Sequence, residues 1–294
     1  MANLKEVRNR ITSVNSTRQI TSAMKMVSAS KLRRAQNAIL KMRPYASKLR
    51  EILGNLSQSV EAANLSVYSQ QREVRSVLLI VIASNRGLCG AFNSNIIKTA
   101  VRQINEVYPE QNKNGKLSVL CIGRKVSEYF TKRGYQIYDA DNRITESLTF
   151  ENTVPISERV LKSFSDKEFD KVEIIYNQFR NAAYQVIVTE PYLPVIPPEK
   201  TEIQKQVDID YIFEPDKETI VLEVIPKTLK IQFYKALLDS VASEHGARMT
   251  AMHKATDNAT EMIKDLKLVY NKARQAAITK EIIEIVSGAE ALKG

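Results

Sequence analysis

Residues Ser76–Asn93 read SVLLIVIASNRGLCGAFN. The first half is an unbroken apolar run rich in β-branched side chains, the pattern of a strand buried on both faces of a parallel sheet. The second half is a glycine-rich turn with Cys89 at its tip, followed by a helical pattern. A strand, a tight turn and a helix in that order open an α/β domain. Such turns are also where enzymes of that class hold a nucleophile or cradle a phosphate. The spacing predicts Gly87 and Gly90 in the turn itself and Asn93 or Ser94 as the cap of the helix that follows.

Outward from this stretch the same texture continues over about 74–212. Apolar runs at Val74–Ala83, Leu117–Ile122, Lys171–Phe179 and Ala183–Thr189 alternate with helical patterns near Asn93–Val107, Arg124–Arg133 and Asn152–Phe164. That alternation predicts a mainly parallel sheet covered by helices. The last two strands are separated only by RNAA, so they should form an antiparallel hairpin at one edge. PYLPVIPPEK, beginning at Pro191, suits neither a helix nor a central strand and reads as the exit from the domain.

The flanks are different. Residues 1–60 contain one glycine, Gly54, and one proline, Pro44. Alternating steps of three and four from Leu4 to Val60 meet an apolar residue at thirteen of seventeen positions, a sustained heptad over one long helix. The four exceptions, Arg18, Thr21, Lys25 and Ser28, are consecutive, and beside them the apolar residues move to Ile20, Ala23, Met24 and Val27. Over these residues the helix is expected to face something other than its mate. From Ile231 to Ser287 the same walk again scores thirteen of seventeen, with Pro226 placed to open that helix and Gly288 to close it. About sixty residues of helix would span ~90 Å, far more than a small core needs. One strong seam on each flank predicts that 1–60 and 215–288 pair as an antiparallel coiled coil around the α/β domain.

Charge is uneven. Residues 1–50 hold twelve Lys or Arg against the single acid Glu6, within a chain of net charge +10. Such a segment calls for an acidic surface in a partner. Two distant cysteines and no secretory or transit-peptide pattern fit a reducing compartment, and no apolar run reaches the ~20 residues of a membrane helix. Direct membrane insertion is therefore not expected.

Chemistry has little to work with. A nucleophilic Cys89 would need a histidine base, and the two histidines, His245 and His253, fall in the C-terminal helical pattern, which is not expected to cross the top of the sheet. No G-x-x-x-x-G-K-[ST] or G-x-G-x-x-G segment occurs, and two histidines with two distant cysteines make no metal cluster. No catalytic residue, cofactor or metal site is assigned. Nucleic-acid binding by the basic helix is the other alternative, but SKLRRAQ lacks interleaved aromatics and the basic residues share their fifty positions with the seam. Cys121, on an expected strand, reads as a buried structural thiol.

Three stretches carry a resemblance: ITSAMKMVSASKLRRAQ near the start, SNRGLCGAFN after the first strand, and LVYNKARQAAITKEIIEIVSGAEAL at the end. In this order, and over essentially the whole chain, they resemble the gamma subunits of bacterial F-type ATP synthases, the central rotor shaft. The resemblance implies a Rossmann-like α/β domain at the foot of the coiled coil, and a non-catalytic role in passing torque between a proton- or sodium-driven membrane ring and a catalytic hexamer. It implies the alpha and beta subunits, the epsilon subunit and the membrane c-ring as partners, at the cytoplasmic face of a bacterial inner membrane, with no nucleic acid. Position by position, Met24 and Lys25 look like shaft contacts to a beta subunit, and Arg274 and Gln275 look like a polar catch on the same partner. Tyr211, Phe213 and Glu214 look like the foot segment that meets the membrane ring. The regulatory cysteine insertion of chloroplast relatives is not expected here.

Overall fold

The computed structural model describes residues 4–56, 67–182, 184–195 and 217–291. Two compact bodies result: Met1–Ser28 with Met249–Gly294, and Ala29–Arg248. Two long helices, α1 (Leu4–Leu56) and the C-terminal α6 (Lys217–Ala291), contribute to both.

The larger body is built on a five-stranded sheet of order β3-β2-β1-β4-β5. Its strands are β1 (Val77–Ile82), β2 (Leu117–Ile122), β3 (Ile137–Asp141), β4 (Lys171–Phe179) and β5 (Gln185–Leu193). β1 pairs in parallel with β2 and β4, β2 pairs in parallel with β3, and β4 with β5 forms the expected antiparallel edge hairpin. Side chains alternate across a strand, so β1 feeds two cores. Leu78, Ile80 and Ile82 meet Val160 and Phe164 of α5 (Phe150–Ser165) and Leu229, Phe233 and Leu237 of α6. Val77, Leu79 and Val81 meet Ile96 and Ala100 of α2 (Phe92–Arg102) and Phe130 of α4 (Arg124–Lys132). A short helix, α3 (Pro109–Lys113), links α2 to β2. The unbroken apolar run is thus a strand with no solvent face.

Several expectations need correction. β3, with the pattern IYDAD, is half-buried at the sheet's other edge, and its weak alternation hid it. β5 runs on through Pro191 to Leu193, because an edge strand has one side whose N–H groups are not needed. α2 starts after Ala91, not Asn93: the Ser94 hydroxyl donates to the Ala91 carbonyl (3.0 Å), and the Asn93 side chain turns back to Ser84 and Cys89. Of the two turn glycines only Gly90 has positive φ, +59°, and its companion in that region is Leu88, +63°.

The long helices also differ in detail. α6 is helical from Lys217 and passes through Pro226, then continues past Gly288 to Ala291. An internal proline ordinarily costs ~3 kcal/mol. Here Ile225 and Leu229, on either side, are driven into the sheet core, and that burial offsets the loss.

In the smaller body, the early part of α1 lies beside the late part of α6, the order an antiparallel pair requires. Thr21 and Ser28 are buried and Ile20, Met26 and Val27 exposed. The seam therefore stays on Thr21 and Ser28, with Arg18, Met24 and Lys25 half-buried beside it and Ile20, Ala23, Met26 and Val27 outward. On α6 the inward stripe is Met252, Ala259, Ile263, Leu266, Tyr270 and Ala273, while Met262 and Val269 of the strict walk are exposed. The observed stripe keeps the 3.5-residue repeat, with every second position one residue later than in the strict walk: Thr256 for Ala255, Ile263 for Met262 and Tyr270 for Val269.

Candidate functional site

Two features compete for function: the turn behind β1 and the outer faces of the paired helices.

The turn is tightly internalised. Cys89 is 1% exposed, receives a hydrogen bond from Asn93 Nδ2 at 3.2 Å, and lies 3.8 Å from Ser84 Oγ. Ser84 Oγ donates to the Arg86 carbonyl (2.6 Å), closing the loop on itself. Contrary to expectation, α6 does reach this turn. Arg248 Nη2 donates to the carbonyls of Arg86 (3.2 Å) and Gly87 (3.3 Å), and its Nη1 to Glu244 (2.6 Å). What the helix delivers is a guanidinium, not an imidazole base. Burial pushes the Glu244 carboxyl up, against the pull of Arg248. His245 is held down to about 4, first by burial and then by the charges of Arg248 and Lys31. Its Nδ1 is buried with no hydrogen-bond partner. This cluster ties α6 to the end of the sheet. A charged residue on a heptad seam, as Arg248 is, was the available signal for it.

Beyond the turn, a buried carboxylate on β4 ties the layers together. Glu173 accepts from Tyr108 Oη (2.7 Å) and Gln103 Nε2 (2.9 Å), and pairs with Lys171 at 3.0 Å. Burial pushes the Tyr108 phenol up to about 12, and burial does the same to the Cys121 thiol. Among the described residues no group of three His, Cys, Asp or Glu could hold a metal ion. No helix among them is long and apolar enough to cross a membrane.

The helical faces are more open. Met24 and Lys25 are half-buried on α1, and Arg274 and Gln275 are exposed on α6. Thr21 lies opposite Thr256, their hydroxyls 2.9 Å apart, so Met24 is level with about His253, some twenty residues short of Arg274. The two pairs are separate stations ~30 Å apart along the helices, at 1.5 Å per residue. Past about Ala277 α6 has outrun α1, and every described residue from Ile278 onward is exposed, including Ile282, Ile283, Ile285 and Val286. Arg8, Arg10, Arg33, Arg34 and Lys41 are likewise exposed, so the basic residues of α1 form an outer surface. Tyr211, Phe213 and Glu214 lie outside the described residues.

Known proteins match this arrangement from end to end. The sequence profile of a family described as ATP synthase matches residues 3–292. The chain is 57% identical to the ATP synthase gamma chain of Flavobacterium johnsoniae, over 100% of both chains. It is 54% identical to that of Cytophaga hutchinsonii over 99% of both. Among solved structures it resembles a chain of the Tetrahymena thermophila mitochondrial ATP synthase central stalk and c-ring (27% identity, TM-score 0.60, 80% of this chain and 99% of that one). A chain of the Euglena gracilis mitochondrial ATP synthase shares the fold (23% identity, TM-score 0.67, 98% of this chain and 94% of that one).

Proposed function

The chain belongs to the ATP synthase gamma-chain family and is a central-stalk rotor subunit of that complex, not itself catalytic; we propose how the segments of the chain divide the work. Residues 1–60 and 215–288 form the shaft, and 74–212 the foot. The shaft turns inside a hexamer of alpha and beta subunits, and the foot meets the epsilon subunit and the membrane c-ring at the cytoplasmic face of a bacterial inner membrane. Met24 and Lys25 on one helix and Arg274 and Gln275 on the other touch beta subunits at two levels. Tyr211, Phe213 and Glu214 meet the ring.

The observation that supports this reading is the paired-helix body, which buries Thr21 and Ser28 while leaving Ile20, Met26, Val27, Arg8 and Arg10 on its outer surface. Three catalytic sites around such an asymmetric shaft each face a different side of it. Turning the shaft changes which conformation each site prefers, since only differential contact can shift such an equilibrium. Arginine suits a catch that forms and breaks, because its planar fork meets carboxylates in a bidentate way.

In the assembled complex, R274A/Q275A should lower ATP-driven ion pumping about tenfold, the equivalent of ~1.4 kcal/mol, with assembly unchanged. Pumping at the unsubstituted rate would remove the catch from the proposal.

A further inference from the structure

In α1 between Arg18 and Ser28 two stripes run side by side, one polar (Arg18, Thr21, Lys25, Ser28) and one apolar (Ile20, Ala23, Met24, Val27). The hydrophobic effect alone would turn the apolar stripe onto α6. The opposite is found: Thr21 is 8% exposed and Ser28 3%, whereas Ile20 is 60% exposed and Val27 57%. Val7, 6% exposed, is the buried seam residue of α1 on the N-terminal side of this segment.

At the centre of this segment stands a direct contact between the helices. Thr21 Oγ1 and Thr256 Oγ1 are 2.9 Å apart, and Thr256 Oγ1 also lies 2.8 Å from the Met252 carbonyl. Thr21 Oγ1 also lies 3.0 Å from the Arg18 carbonyl, and each hydroxyl has one proton, so the pair forms a relay in one of two senses. Either Thr21 donates to Thr256 and Thr256 to Met252, or Thr256 donates to Thr21 and Thr21 to Arg18, with one proton bridging the helices in both. The bond across the pair is made only in this rotational phase; in any other, each hydroxyl keeps only the carbonyl of its own helix. A polar pair at one seam position is the device by which coiled coils select a register against apolar alternatives.

We propose that Thr21 and Thr256 are positioning residues: their relay locks the rotational phase of α1 and so holds Ile20, Met26 and Val27 on the outer surface. The lock is a property of the helix pair and stands whether or not those side chains contact a beta subunit.

Double electron–electron resonance on the full chain tests it, with nitroxides at Gln19→Cys and Asn258→Cys, both exposed positions, and Cys89→Ala and Cys121→Ala to remove the native thiols. The parent should give one narrow distance. T21V/T256V keeps shape but removes the relay, and should add a second population displaced by about 8 Å, the chord of a ~100° turn on a helix of about 5–6 Å radius. T21S/T256S keeps the hydroxyls and should restore the single distance. An unchanged distribution in the valine pair would overturn the lock. So would equal broadening in the serine pair, which would mean that volume and not the hydroxyl sets the phase. Loss of helicity in the valine pair would overturn it too, since the relay would then carry stability and not phase.

Discussion

Strand β1 and the first 25 residues of α1, from Leu4 to Ser28, bury apolar residues in opposite proportions. All six residues of β1 are inaccessible to solvent and packed on both faces. Of the α1 segment only Val7, Thr21 and Ser28 are buried, and two of these are hydroxyl residues. The sheet body carries its own interior; the paired helices have one thin seam and leave large apolar side chains outside. The two bodies are built by opposite uses of the same residue types.

The contrast can be broken at Gly123. This residue sits at φ +100°, and a Cβ there would stand 2.3 Å from the Ala83 carbonyl oxygen. Gly123→Val should cost about 4 kcal/mol or more, abolishing slow hydrogen exchange throughout the sheet. Persistence of β1 protection would show that the sheet is less tightly joined than its geometry states. A paired truncation sharpens the same contrast. Leu79→Ala, in the two-sided core, should cost ~2–5 kcal/mol, and Val7→Ala, on the one-sided seam, about 1–2 kcal/mol, read as changes in exchange protection within each body. Equal losses would mean that the seam is as deep as the core.

A smaller effect concerns the junction of α6 with the turn. His245 is held near 4, below its ordinary value of 6.5, so the folded state binds its proton less readily than the unfolded one. The corresponding stability is complete above about pH 6.5 and is lost as pH falls toward about 4. Glu244 is shifted the other way and opposes this from its usual value of 4.5 upward, losing stability as pH rises. His245→Gln should therefore flatten the fall in the urea midpoint of the larger body between pH 6.5 and 5. An unaltered slope would assign the fall to other groups.

The two regions were also legible to different degrees. β1, β2 and β4 could be read closely from sequence because a doubly buried strand is dominated by apolar residues even where it admits a Ser118 or a Glu173. β3 could not, since an edge strand with IYDAD needs little burial. Pro226 and Gly288 misled about the ends of α6, because local breaking signals are weaker than the burial of Ile225 and Leu229 at one of them. At the candidate site, the resemblance alone pointed to Met24, Lys25, Arg274 and Gln275. Their placement on two levels of one helix pair required the register set at Thr21 and Thr256.

SNRGLCGAFN shows where the division falls. Sequence alone determined that a buried strand ends there in a tight turn, that two long heptads flank the α/β segment, and that the first fifty residues are strongly basic, because burial, periodicity and charge are written residue by residue. Tertiary structure decided that Arg248 closes the turn from a helix more than 150 residues away, with its guanidinium on the carbonyls of Arg86 and Gly87. It also decided that Thr21 and Ser28 of α1 face inward and Ile20 and Val27 outward. These depend on what stands opposite each side chain in space, and a helical pattern records which residues share a face without recording which face is covered.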